Sequence, residues 1–275
     1  MKRFFTAMAV AASMFAAVSC GHDKGPKVLV LYYSQTNNTR TVAEAIAARL
    51  GADTEEIVAV QPYDGDFNAT IERCMQEREA GTVPEIEPVK ADLASYDIIF
   101  LGYPIWFGTF APPMIAFLQS ADLAGKKIVP FCSFGSGGLD SSIRDLKAAQ
   151  PEAEILDGYG VRAARIAAVD KEVERFLKAG GFIEGEFFQP GEFPEQHPVS
   201  EEEAAIFDAA VNGYPMLNAK AATVASRAVE DGTEYLFTAT PLPREDRPDF
   251  PPIGDVKVYV LAEEGQAPVF TQVIR

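Results

Sequence analysis

Residues 27–39 read KVLVLYYSQTNNT, an apolar run that ends abruptly in six small hydrogen-bonding residues, Ser34, Gln35, Thr36, Asn37, Asn38 and Thr39. Val28, Leu29, Val30 and Leu31 show no polar alternation, the mark of a strand covered on both faces and hence of a central parallel strand. Past Thr39, Val42, Ile46 and Leu50 recur every fourth residue, so the polar turn opens a helix. A helix start leaves several backbone N–H groups without partners, and hydroxyls beside it add donors. The turn is therefore equipped to hold a phosphate without Lys or Arg.

Working outward, the same unit recurs. Gly51 ends the first helix and Glu55–Val60 reads as a second strand, followed by a turn cluster at 61–65 and a helix over Asn68–Ala80 closed by Gly81. Residues 96–103, YDIIFLGY, form a second strong buried-strand signal that ends in Pro104, Ile105, Trp106, Phe107 and Gly108; Pro112 and Pro113 then start an apolar helix. Lys127–Phe134 is a strand that passes through Ser133 and Phe134 into Gly135, Ser136, Gly137 and Gly138, before a helix carrying Leu139, Ile143 and Leu146. Asp140 reads as the cap of that helix. A weaker strand over Glu154–Val161 precedes a helix over Asp170–Ala179. Five β-α units predict an α/β fold with a parallel sheet and helices on both faces. In such sheets ligands bind beyond the carboxyl ends of the strands, where the polar and Gly-rich loops after the first, third and fourth strands converge on one rim. Taken singly, each loop has a plainer reading: a capped helix start, an aromatic core or interface anchor at Trp106, a tight turn at Gly137-Gly138.

The 275 residues, 48% hydrophobic, suffice for one or two domains, and a formal net charge of −16 excludes nucleic acid and anionic membrane surfaces as partners. Lys2 and Arg3 precede an apolar run from Phe4 to Val18 that reads as a secretory signal. It ends Ala17-Val18-Ser19-Cys20, which resembles the lipobox of bacterial lipoproteins with Ala17 where Leu is usual, and so implies lipidation of Cys20. Gly21–Pro26 is then a tether, and the protein is expected at the bacterial cell envelope, held to the membrane by lipid alone. Cys74 and Cys132 read as buried thiols rather than a disulfide. His22 falls in the tether and His197 in the linker, which leaves no material for a histidine-based metal site.

The stretches YYSQTNNTR, YDIIFLGYPIWFG and PFCSFGSGG resemble the three flavin-binding loops of the flavodoxin family over about residues 26–183. The resemblance implies a flavodoxin-like five-stranded parallel sheet with FMN as cofactor. Ser34 to Thr39 would hold the phosphate, Pro104 to Gly108 would lie along one side of the ring, and Ser133 to Gly138 along the other. The family usually has Gly where Asn37 stands; Asn is the next most tolerant residue for a left-handed backbone. An anionic reduced flavin is disfavoured in an acidic, largely uncharged pocket, which implies a low reduction potential. No nucleophile-base pair is present, so the chemistry belongs to the cofactor.

Residues 184–198 are rich in Gly, Pro and Glu and read as a linker. Beyond it, Glu201–Val211 is a helix and Ala222–Val229, Thr233–Thr240, Val256–Leu261 and Pro268–Ile274 are strands, a small α+β domain over residues 199–275. Residues 223–235, TVASRAVEDGTEY, are similar to the Q-x-V-x-G hairpin region of the cystatin family, with Arg227 where Gln is expected. The function expected is electron transfer or flavin-dependent, quinone-type reduction, with a redox partner protein or a quinone-like small molecule as the other reactant. The alternative is a non-redox envelope module whose cystatin-like domain binds a protein partner.

Overall fold

The computed structural model describes residues 25–63, 66–214, 217–242 and 254–274. The signal segment, Cys20, most of the tether, Asp64-Gly65 and the middle of the Pro-rich loop lie outside the described residues.

The chain runs β1 (Val28–Tyr32), α1 (Asn38–Leu50), β2 (Asp53–Glu56), α2 (Phe67–Ala80), β3 (Ile98–Trp106), β4 (Thr109–Phe110), α3 (Pro112–Ser120), β5 (Lys127–Phe134), α4 (Leu139–Ala149), β6 (Glu154–Ile155), β7 (Tyr159–Arg162) and α5 (Val169–Ala179). Parallel pairing gives the order β2-β1-β3-β5-β6, with β7 also on β5 and β4 folded back on β3 as a hairpin. β1 is central, as its unbroken apolar run requires: Leu29, Val30 and Leu31 are buried against β2 on one side and β3 on the other. Two cores flank the sheet. One gathers Val42, Ala43 and Ile46 of α1 with Val169, Val173 and Leu177 of α5; the other gathers Cys74 of α2, Met114 and Phe117 of α3 and Leu146 of α4.

Three boundaries differ from the sequence reading. The second strand pairs at Asp53–Glu56, because after Ile57, whose N–H still donates to the Tyr32 carbonyl, Val58–Val60 leaves β1 and joins residues 85–87 instead. The third strand continues through Pro104-Ile105-Trp106, since the hairpin with β4 supplies partners beyond the sheet. The fifth strand is broken at residues 156–158, where Gly158 passes so close to the Pro130 carbonyl that a Cβ there would lie 2.7 Å from it.

The second unit comprises β8 (His197–Pro198), α6 (Glu201–Val211), β9 (Ala219–Val229), β10 (Gly232–Pro241), β11 (Val256–Glu263) and β12 (Val269–Ile274), an antiparallel sheet in the order β12-β11-β10-β9-β8. Ser200 and Glu203 form a capping box at the start of α6, whose Phe207 is buried against Phe237. The expected linker therefore ends in an edge strand, two residues paired with Val224 and Thr223, that neither composition nor period revealed. Among the described residues no helix is long and apolar enough to cross a membrane.

Candidate functional site

Loop one follows β1. Asn37 takes the left-handed conformation (φ 65°, ψ −5°), and its carbonyl accepts the first helical bond, from Thr41. The Asn37 side chain does not cap the helix; its Oδ1 accepts from Arg40 Nη1, and Arg40 Nη2 pairs with Glu56 at 2.6 Å. Ser34 Oγ accepts from the Arg40 amide. The amides of Gln35, Thr36, Asn37, Asn38 and Thr39 find no acceptor among the described residues. Five consecutive free donors at the positive end of a helix are what a phosphate dianion needs. Gln35 turns away to donate to the Tyr63 carbonyl (2.6 Å) and Thr70 Oγ1 (3.0 Å), which pins the loop to α2.

Loop two is the β3-β4 hairpin. Phe107 and Gly108 both have positive φ (51° and 83°), the turn a two-residue hairpin requires, and Phe107 is exposed. Trp106 is half-buried, its ring edge-on to Tyr63 at 5.3 Å and to Tyr33 at 6.1 Å. Burial holds both phenols protonated well above the ordinary tyrosine range. Two hydroxyls staple the hairpin to α4: Ser141 donates to the Gly108 carbonyl and Thr109 to Asp145.

Loop three follows β5. Ser133 and Phe134 are buried, whereas Gly135 is exposed and Ser136 to Gly138 are partly so. Gly138, not Asp140, is the cap residue of α4; Asp140 sits in the first turn, where its charge favours the dipole. Gly138 has φ 120°, and a Cβ there would lie 2.7 Å from Ile105 Cγ2, so loops two and three touch. Loops one and three meet through a buried bond between the Thr39 and Ser133 hydroxyls at 2.9 Å. The predicted residues thus fall on one rim, but Thr39 and Ser133 spend their hydroxyls on each other.

Sequence reasoning missed Arg162, at the end of β7. It is 8% exposed; Nε donates to the Gly135 carbonyl (2.9 Å), Nη1 donates to the Phe270 carbonyl of β12 (2.8 Å), and the guanidinium stacks on the Phe270 ring at 3.3 Å. No carboxylate pairs with it among the described residues, and burial lowers its pKa. A buried positive charge thus stands behind loop three, where an acidic, largely uncharged pocket was expected. A single Arg closing a short strand carries no periodic signal, and its partner Phe270 lies 108 positions away. Cys74 and Cys132 are buried free thiols, and burial, followed by the charge of Glu77, pushes Cys74 up to about 11. No cluster of metal-ligating side chains occurs among the described residues.

A flavodoxin family model matches residues 27–175, the span that contains all three loops. The chain belongs to the flavodoxin family. A solved structure from Bacteroides eggerthii, assigned as a flavoprotein, aligns with a TM-score of 0.50 at 29% identity, covering 56% of this chain and 98% of its own. A flavoprotein from Lactobacillus acidophilus, solved in complex with FMN, aligns with a TM-score of 0.45 at 23% identity, over 54% of this chain and 98% of its own. An NAD(P)H dehydrogenase (quinone) from Cupriavidus metallidurans is 36% identical over 99 residues, 34% of this chain and 46% of the relative. The chain thus spans about half the length of that curated relative.

Proposed function

We propose that this flavodoxin binds FMN at the rim and acts as a flavin-dependent redox protein, in electron transfer or in quinone-type reduction. One observation carries the reading: the free amides of Gln35 to Thr39, wrapped around a left-handed Asn37, face two further loops on the same rim. Asn37 keeps the backbone shape that the family usually obtains from Gly, so the departure leaves the anion cradle intact. Bound FMN supplies reversible acceptance of electrons.

The chain's own residues bind and orient. The amides of loop one and the hydroxyls of Ser34 and Thr36 hold the phosphate, while Arg40 neutralises Glu56 beside it. Ile105 and Trp106 form an apolar wall that excludes water from one face of the ring, with Tyr33 and Tyr63 fixing the indole. Gly135 to Gly138, three glycines and the small Ser136, bring main-chain donors to the other edge. The test is titration of the soluble protein lacking residues 1–20 with FMN, followed by fluorescence quenching: saturable binding at micromolar FMN is expected, and its absence overturns the reading. The Cupriavidus relative supports quinone as the first acceptor to try; NAD(P)H consumption dependent on added quinone marks an enzyme, and its absence with FMN bound marks a carrier.

The reading extends to location and to the second unit. Cys20 carries lipid and holds the protein at the bacterial envelope; palmitate labelling that disappears in Cys20→Ala is expected, and an unlabelled wild type overturns this. The helix-over-sheet unit is a cystatin-like module without inhibitory function. Arg227 supports this, since its side chain is tied to Glu234 and to the Gly191 carbonyl and lies over Phe193, so it is not free to enter a protease cleft.

A further inference from the structure

Loop three is held by Arg162 of its own sheet and, from outside its domain, by β12. Arg162 takes the Gly135 carbonyl and the Val273 amide of β12 donates to the Ser136 carbonyl at 2.6 Å. A Cβ on Gly137 would lie 2.5 Å from the Val273 carbonyl, so the strand lies directly against the loop. Arg162 is in turn gripped by the second unit, through the Phe270 carbonyl and ring and with Tyr214 5.3 Å away.

Peptide groups are planar and trans, so each carbonyl and the N–H of the following residue point in opposite directions. With the Gly135 and Ser136 carbonyls held towards Arg162 and β12, the amides of Ser136 and Gly137 are turned the other way. Neither finds an acceptor among the described residues. Behind them stands a guanidinium withdrawn from water and lacking a counter-charge among the described residues. The Bacteroides structure is matched over 98% of its length by 56% of this chain, so it has no counterpart of a second unit of this size.

We propose that the second unit is a positioning element for the flavin site: through Arg162 and Val273 it aims the Ser136 and Gly137 amides at the ring edge and sets a positive charge behind them, which favours the electron-rich, reduced cofactor. This rests on the FMN reading above. Arg162 acts through the loop and is a positioning residue.

The experiment compares wild type, Arg162→Met, Arg162→Lys and Val273→Pro in the full soluble chain. Val273 lies on an edge strand and its N–H donates to Ser136, so Pro removes that bond, together with part of the packing of the buried Val273 side chain, and hydrogen exchange in the rest of the second sheet serves as the control for that loss. Hydrogen exchange of residues 133–139 is read without cofactor; FMN affinity and reduction potential are read with it. Arg162→Met is expected to speed exchange in loop three, weaken FMN about fivefold or more and shift the potential to more negative values. Arg162→Lys keeps the charge without the two-carbonyl grip, so it restores the potential more than the protection. Val273→Pro speeds exchange with a smaller shift in potential. Unchanged exchange, affinity and potential in Arg162→Met overturn the proposal; if that variant does not fold, unchanged exchange and affinity in Val273→Pro overturn it. A wild type that binds no FMN defeats the functional reading instead, while the exchange data still decide whether the second unit holds the loop.

Discussion

Loops one and three serve the same rim by opposite constructions. The turn of loop one is shaped by near neighbours, with Gln35 then tying it to α2: Ser34 holds the Arg40 amide, Asn37 supplies the left-handed turn, and Arg40 reaches back to Asn37. Loop three has almost no internal bonding, and its two fixed carbonyls are held by Arg162 and by a strand of another sheet. A turn rich in side-chain donors can fix itself. A turn of glycines gains close approach for its backbone and must take its rigidity from elsewhere.

The largest test of this contrast is Gly137→Ala. A Cβ 2.5 Å from the Val273 carbonyl forces backbone apart, and denaturant unfolding should record a loss of about 1–3 kcal/mol, with faster exchange in loop three and none in loop one. Next is Ser133→Ala, which leaves the buried Thr39 hydroxyl without its partner. A loss of about 1–2 kcal/mol is expected, part of it recovered when Thr39→Val is added. Both loops respond here, because this bond is their direct link. Asn37→Gly should change stability by less than about 1 kcal/mol, relief of the left-handed backbone being offset by greater unfolded-state freedom, and FMN affinity should persist.

The smallest effect concerns the second attachment of the sheet. Asp231 accepts from Lys171 and Arg175 of α5, and the Lys171 bond, with Arg175 after it, lowers its pKa. A lowered folded-state pKa stabilises at pH above the ordinary carboxylate range and is lost as pH falls through the folded value. Asp231→Asn should therefore cost less than about 1 kcal/mol near neutral pH, and thermal unfolding of mutant and wild type should converge in acid. Loop three should keep its protection in this variant, since its clamp lies on β12.

The parallel sheet and loop one were legible because their signals are local: an uninterrupted apolar run, a polar turn, a four-residue period. The break in the fifth strand was not, since it depends on how closely Gly158 passes the Pro130 carbonyl. β8 was hidden because two residues in a Gly- and Pro-rich stretch become a strand only when β9 offers its edge. Arg162 was invisible for the same reason at longer range, because nothing near it in the chain announces Phe270.

That separation also bears on the order of folding. The turn of loop one closes through Ser34 and the Arg40 amide, 6 positions apart, and Gln35 reaches α2 across 28 and 35 positions, whereas the clamp behind loop three joins Arg162 to Phe270, 108 apart, and needs the second sheet already formed. Long-range closure comes late. A refolding chain should therefore regain its helices and sheet, and loop one with them, before loop three is set, and the fully assembled rim should be the last feature of the native state to return.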